Sequence, residues 1–169
     1  MYTAPHRVFL GLGTNLGDRM QNLQTAIQYL SELKGMTPIK CSEVIETEAW
    51  GKKDQPDFLN AVLELECAIS AEELFEHIQM TEVKMGRVRE EKWGPRIIDI
   101  DILFFGDLRM NTERIVIPHP EIQNRKFVLE NLFEIAPRLF HPVLKCTISE
   151  LRAELKDDSR VTKFGKLVV

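Results

Sequence analysis

The sequence predicts an α+β fold in which helices pack on a largely antiparallel sheet. Two observations carry that expectation. Apolar residues recur in two periods: at alternate positions, as in Leu59, Ala61, Leu63, Leu65 and Cys67, and at spacings of three and four, as in Leu23, Ile27 and Leu30. The first period marks a strand with one buried face, the second a helix with one apolar stripe. The strands so marked are joined sometimes by tight turns such as Gly106-Asp107 and sometimes by helices.

Composition sets the outer limits. A chain of 169 residues with 44% hydrophobic and 28% charged residues has the makeup of an ordinary globular domain. No repeat, low-complexity tract or Gly/Ser linker divides it, so residues 1–169 are expected to form a single domain. The longest unbroken apolar run, Ile102 to Phe105, is four residues, against the roughly 20 that a membrane span requires. Lys plus Arg number 22 against 26 Asp plus Glu, which argues against a general nucleic-acid binder. The opening residues, Met1 to Arg7, have no apolar segment of the secretory kind. Cys41, Cys67 and Cys146 are odd in number and widely spaced, which fits reduced thiols in a cytoplasmic protein. The expectation is a soluble cytoplasmic domain without membrane or nucleic-acid partners.

The elements follow in order. Val8 to Gly13 reads as a buried strand ending in a glycine turn. Asp18 caps a helix striped by Met20, Leu23, Ile27, Leu30 and Leu33, which stops near Gly35 and Pro38. A strand is expected from Ile39 to Thr47, then a polar loop from Gly51 to Asp57. From Leu59 to Ile69 the alternation predicts a half-buried strand, with Asn60, Glu64 and Glu66 on its other face. Ser70-Ala71-Glu72-Glu73 is a capping box for a helix striped by Leu74, Phe75, Ile78 and Met85 and ended by Gly86. A charged loop leads to a strand with Ile98, Ile100, Ile102 and Phe104 on one face, and Arg114 to Ile117 is expected to return beside it. Phe127 to Ile135 reads as a helix before Pro137, and Thr147 to Glu150 caps a last short one.

The strongest chemical signal is Asp99-Ile100-Asp101 in that greasy strand. Aspartate is a poor strand former, and alternation puts both carboxylates on one side with Cα atoms about 6.6 Å apart. Two like charges there repel unless a cation lies between them. Oxygen-only ligands favour magnesium or manganese over zinc, and magnesium held by a few carboxylates usually accompanies phosphates. The competing reading is a solvated polar face. Arg87, Arg89, Lys92 and Arg96 lie just upstream, and guanidinium forks match phosphate oxygens; on the surface they would instead pair with Glu90 and Glu91. Gly11-Leu12-Gly13-Thr14-Asn15-Leu16-Gly17 is neither a dinucleotide fingerprint nor a Walker loop, and reads as a tight strand-to-helix turn. His119, between two prolines, is by itself a local hydrogen-bonding residue. Trp50 and Trp93 sit in polar loops beside glycine, where flat rings suit a planar substrate.

Several motifs in order carry a family resemblance. Lys92-Trp93-Gly94-Pro95-Arg96-Ile97-Ile98-Asp99-Ile100-Asp101-Ile102-Leu103 resembles the signature of the 6-hydroxymethyl-7,8-dihydropterin pyrophosphokinases of folate biosynthesis. The segments Gly11 to Asp18, Asp54 to Ala61, Gly86 to Arg89, Pro118 to Pro120 and Asn124 to Phe127 resemble further motifs of that family. The resemblance implies a ferredoxin-like sandwich that moves pyrophosphate intact from ATP to the pterin's hydroxymethyl group, releasing AMP. It implies two magnesium ions on Asp99 and Asp101, with Arg87, Arg89 and Arg96 sharing the catalytic work. Nucleotide contacts would come from Arg87, Arg89, Lys92, Trp93, Arg96, Arg114, His119 and Arg125, and pterin contacts from Thr47, Trp50, Phe58, Asn60, Trp93 and Phe127. Glu48-Ala49-Trp50, Phe58, Lys92 and Val116 depart from residues seen in some members. No convincing general base is visible; Asp101 would have to combine that role with metal binding. The expected protein is a monomer. Two other classes stay open, a magnesium-dependent nucleotide hydrolase and a non-catalytic regulatory or RNA-binding module, the latter lacking a basic surface and stacking aromatics.

Overall fold

The computed structural model describes residues 4–49, 54–87 and 95–169. Its centre is a six-stranded sheet in the order β10-β3-β4-β1-β5, with β2 also paired to β4. These strands are β1 (His6–Thr14), β2 (Met36–Cys41), β3 (Val44–Thr47), β4 (Phe58–Cys67), β5 (Asp99–Phe105) and β10 (Val161–Gly165). All pairings are antiparallel. Two-stranded ribbons of β6 (Met110–Asn111) with β7 (Val116–Ile117), and of β8 (Phe140–His141) with β9 (Cys146–Thr147), lie outside it. Helices α1 (Arg19–Ser31), α2 (Ala71–Lys84), α3 (Lys126–Ile135) and α4 (Ile148–Glu154), with a 3-10 turn at Ile122–Asn124, complete the described elements. This is the α+β sandwich expected.

The two sheet faces carry separate cores. Val8, Leu10 and Leu12 of β1, the odd-numbered residues Leu59 to Cys67 of β4, and Ile100 and Ile102 of β5 pack against Leu23, Ile27 and Leu30 of α1 and Leu74 and Ile78 of α2. On the opposite face Phe9, Val62, Leu103 and Phe104 meet Val128, Leu129 and Leu132 of α3 and Ile148 and Leu151 of α4. The helix starts are those the caps foretell. Asp18 accepts from the Gln21 amide, Ser70 from that of Glu73, and Thr147 and Glu150 close a full capping box. Gly86 ends α2 with φ +92°, a conformation that favours glycine.

Four expectations change, and one strand was not expected. The strand foreseen from Ile39 to Thr47 is two strands, β2 and β3, flanking Ser42 and Glu43 on one edge of β4. At that break the Val62 amide donates to the Ser42 hydroxyl at 2.8 Å, which replaces a ladder bond. Strand β4 is buried on both faces except at Glu66, Asn60 at 6% and Glu64 at 8% exposure included, because α3 and neighbouring strands cover most of what looked like a solvent side. Phe104 leaves the face of Ile102: Leu10 pairs with Ile102 but Phe9 with Phe104, so Leu103 forms a bulge and the alternation slips by one. Strand β7 pairs with β6 rather than with β5. Strand β10 lacks a clear apolar alternation and acquires its structure by pairing with β3.

Candidate active site

The site lies on the α3 face of the sheet, where β1 changes character. Side chains alternate along β1, so Phe9, Gly11 and Gly13 share this face. Phe9 closes the apolar core, whereas the two glycines leave a floor without side chains under a cavity of about 620 Å³. Gly13 pairs with Asn60 on one side and Asp99 on the other, and Gly11 pairs with Val62 and Asp101. A Cβ at Gly13 would lie 3.1 Å from Asn60 Oδ1. These glycines therefore belong to the strand and the cavity floor, not to the turn expected for them. Gly17, at φ +66°, is the turn residue.

At one end of the cavity Asp99 and Asp101 enter from β5, as their spacing requires. Burial and the charge of Asp99 push the Asp101 carboxyl up to about 7, with Arg125 acting in the opposite direction. The pair is thus held close enough to penalise two negative charges. Arg87 Nη1 donates to Asp99 Oδ1 at 2.9 Å, Arg96 Nη1 is 3.8 Å from the same oxygen, and Arg125 Nη1 is 4.0 Å from Asp101 Oδ2. His119 Nε2 is also 4.0 Å from Asp101 Oδ2. Burial foremost, helped by Arg125, lowers the His119 pKa to about 4. Its Nδ1 accepts from the Glu121 amide at 3.1 Å, so in the neutral ring the proton sits on Nε2 and that atom donates.

The other end is more apolar. Phe58 and Phe127 line it with Val62, Leu103 and Val128. The Asn60 Nδ2 donates to Thr47 Oγ1 at 2.8 Å, which fixes the carboxamide and leaves its Oδ1 as the acceptor facing the space above Gly13. The structure thus brings Thr47, Phe58, Asn60, Arg87, Arg96, Asp99, Asp101, His119, Arg125 and Phe127 to one cavity. It sets Arg114 elsewhere: that side chain donates to Gln79 Oε1 at 3.3 Å and lies over the Phe75 ring, beside α2. Trp50, Arg89, Lys92 and Trp93 lie outside the described residues.

Two positioning residues escape a sequence reading. Glu82, 5% exposed, accepts from the Ile100 amide at 2.9 Å and also pairs with Arg87, tying the arginine to β5. An acid four residues after Ile78 on the inward stripe of α2 was the available signal. Asn15, 1% exposed, joins two loops: its Nδ2 donates to Gln55 Oε1 and the Pro56 carbonyl, and its Oδ1 accepts from the Arg96 amide at 2.7 Å. Nothing local in the sequence announces that bridge.

Residues 9–137 match the model of the 7,8-dihydro-6-hydroxymethylpterin-pyrophosphokinase (HPPK) family. The chain belongs to the HPPK family. It is 41% identical over 146 residues to the 2-amino-4-hydroxy-6-hydroxymethyldihydropteridine pyrophosphokinase of Synechocystis sp., covering 86% of this chain and 74% of that one. The enzyme of that name from Aquifex aeolicus is 40% identical over 147 residues, covering 87% of this chain and 91% of the relative. A solved HPPK-DHPS of Plasmodium falciparum with pteroate superposes with a TM-score of 0.72 at 18% identity, covering 91% of this chain and 43% of that one. The chain spans less than half of that solved protein, and the likeness is one of fold. Among the described residues no helix is long and apolar enough to cross a membrane.

Proposed function

We propose that this chain transfers the pyrophosphoryl group of ATP to the hydroxymethyl group of 6-hydroxymethyl-7,8-dihydropterin, giving the pterin diphosphate and AMP. One observation carries the reading beyond family membership: the paired aspartates and three arginines open into the same cavity as Asn60, Phe58 and Phe127, so phosphate chemistry and a flat ring have adjoining places. In the transfer the substrate hydroxyl oxygen attacks the β-phosphorus, the bond from that phosphorus to the α–β bridging oxygen breaks, AMP departs with that oxygen, and the hydroxyl proton passes to solvent.

Asp99 and Asp101 fit a magnesium site. Their donors are all oxygen, they repel as a bare pair, and among the described residues no cluster of three or more His, Cys, Asp or Glu completes a protein cage. Magnesium held by few carboxylates usually takes its other oxygens from phosphate and water. Magnesium, two ions by the family resemblance, supplies charge neutralisation on the triphosphate and acidifies the attacking hydroxyl. The chain's own residues bind and orient. Arg87, Arg96 and Arg125 stand where charge develops on the transferring group, and arginine forks hold it in line. His119 contributes a neutral Nε2–H donor rather than a base. Phe58 and Phe127 wall the pterin, and Asn60 Oδ1 accepts from its amino edge. Arg89, Lys92, Trp50 and Trp93 complete the two subsites in this reading, while Arg114, engaged with Gln79 and Phe75 beside α2, is left out of them. The free thiols of Cys41, Cys67 and Cys146 support a reducing, cytoplasmic setting.

Product analysis tests the reading. With ATP and magnesium, AMP should form only when the hydroxymethylpterin is present, in equal amount with its diphosphate. ADP, or AMP formed without pterin, would identify a nucleotide hydrolase instead.

A further inference from the structure

Asn131 occupies an unexpected place. It sits in the middle of α3, between Val128 and Leu132, both buried in the second core. Asparagine is a poor helix former and gains nothing from an apolar setting. It is 2% exposed, and its Nδ2 is buried without a hydrogen-bond partner among the described residues. The residue nevertheless lines the active-site cavity, one helical turn beyond Phe127 and opposite the strand that carries Asn60 and Val62. A buried amide N–H without an acceptor is disfavoured, and native structures seldom leave one so.

We propose that the Asn131 carboxamide is a specificity-determining contact whose Nδ2 donates to the ring carbonyl of a 2-amino-4-oxo heterocycle. The inference rests on the pterin reading above and deepens it. Asn60 spends its Nδ2 on Thr47 and so presents an acceptor to the cavity. Asn131 holds an unused donor in the wall of the same cavity. An acceptor and a donor from two elements match the amino-oxo edge of a pterin, which offers N–H donors beside a carbonyl acceptor. A ring carrying a second amino group in place of the carbonyl would set donor against donor, and a site built to hydrogen-bond one group rejects the analogue that lacks it.

The test compares 6-hydroxymethylpterin with its 2,4-diamino counterpart, by calorimetry with a non-hydrolysable ATP analogue and magnesium, in wild type, Asn131→Leu and Asn131→Asp. Leucine keeps the approximate volume in an apolar helix, so a folded variant is expected. The preference of wild type for the oxo ring should fall at least about fivefold in Asn131→Leu, and shift further toward the diamino ring in Asn131→Asp, with affinity for the ATP analogue unchanged. A water-filled or purely structural role predicts altered thermal stability with the same preference in all three proteins, and that result overturns the inference. Wild-type protein that makes no pterin diphosphate would overturn the functional reading and this inference with it. Normal transfer with an unmoved preference overturns the inference alone.

Discussion

The two faces of β1 use one strand in opposite ways. Val8, Leu10 and Leu12 are 0%, 0% and 2% exposed and fill the layer beneath α1 and α2. Phe9, Gly11 and Gly13 point the other way; only Phe9 fills its layer, and the glycines leave room above the sheet. The same contrast holds on β5, where Ile100 and Ile102 pack while Asp99 and Asp101 open into the cavity. Stability and chemistry are thus divided by residue parity. The packed face supplies a rigid platform, and the cavity face withholds side chains and tolerates repelling charge in the proposed substrate cavity.

That division can be broken from either side. The largest effect is expected for Asp101→Asn, which should lower turnover about 1,000-fold, or ~4 kcal/mol of transition-state stabilisation, without lowering Tm. Its carboxyl is lifted to about 7, so the fold disfavours the charged form and a neutral isostere removes that burden. Single-turnover kinetics with a melting curve check it; near-normal turnover in the folded variant would falsify the metal assignment.

Leu10→Ala is the mirror experiment. It should destabilise the protein by about 3 kcal/mol through a cavity on the packed face, with kcat unchanged where the protein remains folded. Denaturant titration and assays below the transition separate the two quantities. A matching loss of kcat would mean that the faces are not independent.

Gly13→Ala sharpens the comparison further. A Cβ only 3.1 Å from Asn60 Oδ1 must displace that acceptor, and KM for the pterin should rise about tenfold, ~1.4 kcal/mol, while KM for ATP and global stability change little. Equal rises in both KM values would indicate general distortion of the sheet.

The smallest effect is expected at the sheet edge. Ser42→Ala strips the Val62 amide of its 2.8 Å acceptor and should destabilise by about 1 kcal/mol. Activity should be unaltered, because the lost bond holds the β2–β3 junction rather than a substrate. Loss of activity without loss of stability would place this edge in the chemistry.

Particular residues show how far a sequence reading reaches. Asp18, Ser70 and Thr147 announced their helices because a cap is a hydrogen bond to an amide a few residues away. Asp99 and Asp101 announced their shared side because strand alternation is local geometry. Gly11 and Gly13 carried the same kind of signal, two glycines on alternate positions beside Phe9, yet they resembled a turn because Gly17 and Asp18 follow so closely. Arg114 is a nucleotide contact by family resemblance, yet folding turns it over Phe75.

The sequence by itself determined the element types, the helix caps, the alternation of β4 and the pairing of two carboxylates on one strand face, all of which depend on spacings of a few residues. Tertiary structure alone decided that β4 is covered on both sides, that β5 bulges at Leu103, that β10 joins β3, and that Asn15, Glu82 and Asn131 turn inward. Those outcomes depend on residues up to 121 positions apart, the separation between Val44 and Gly165. Local propensity carries no record of such partners; only packing and the pairing of buried polar groups select them.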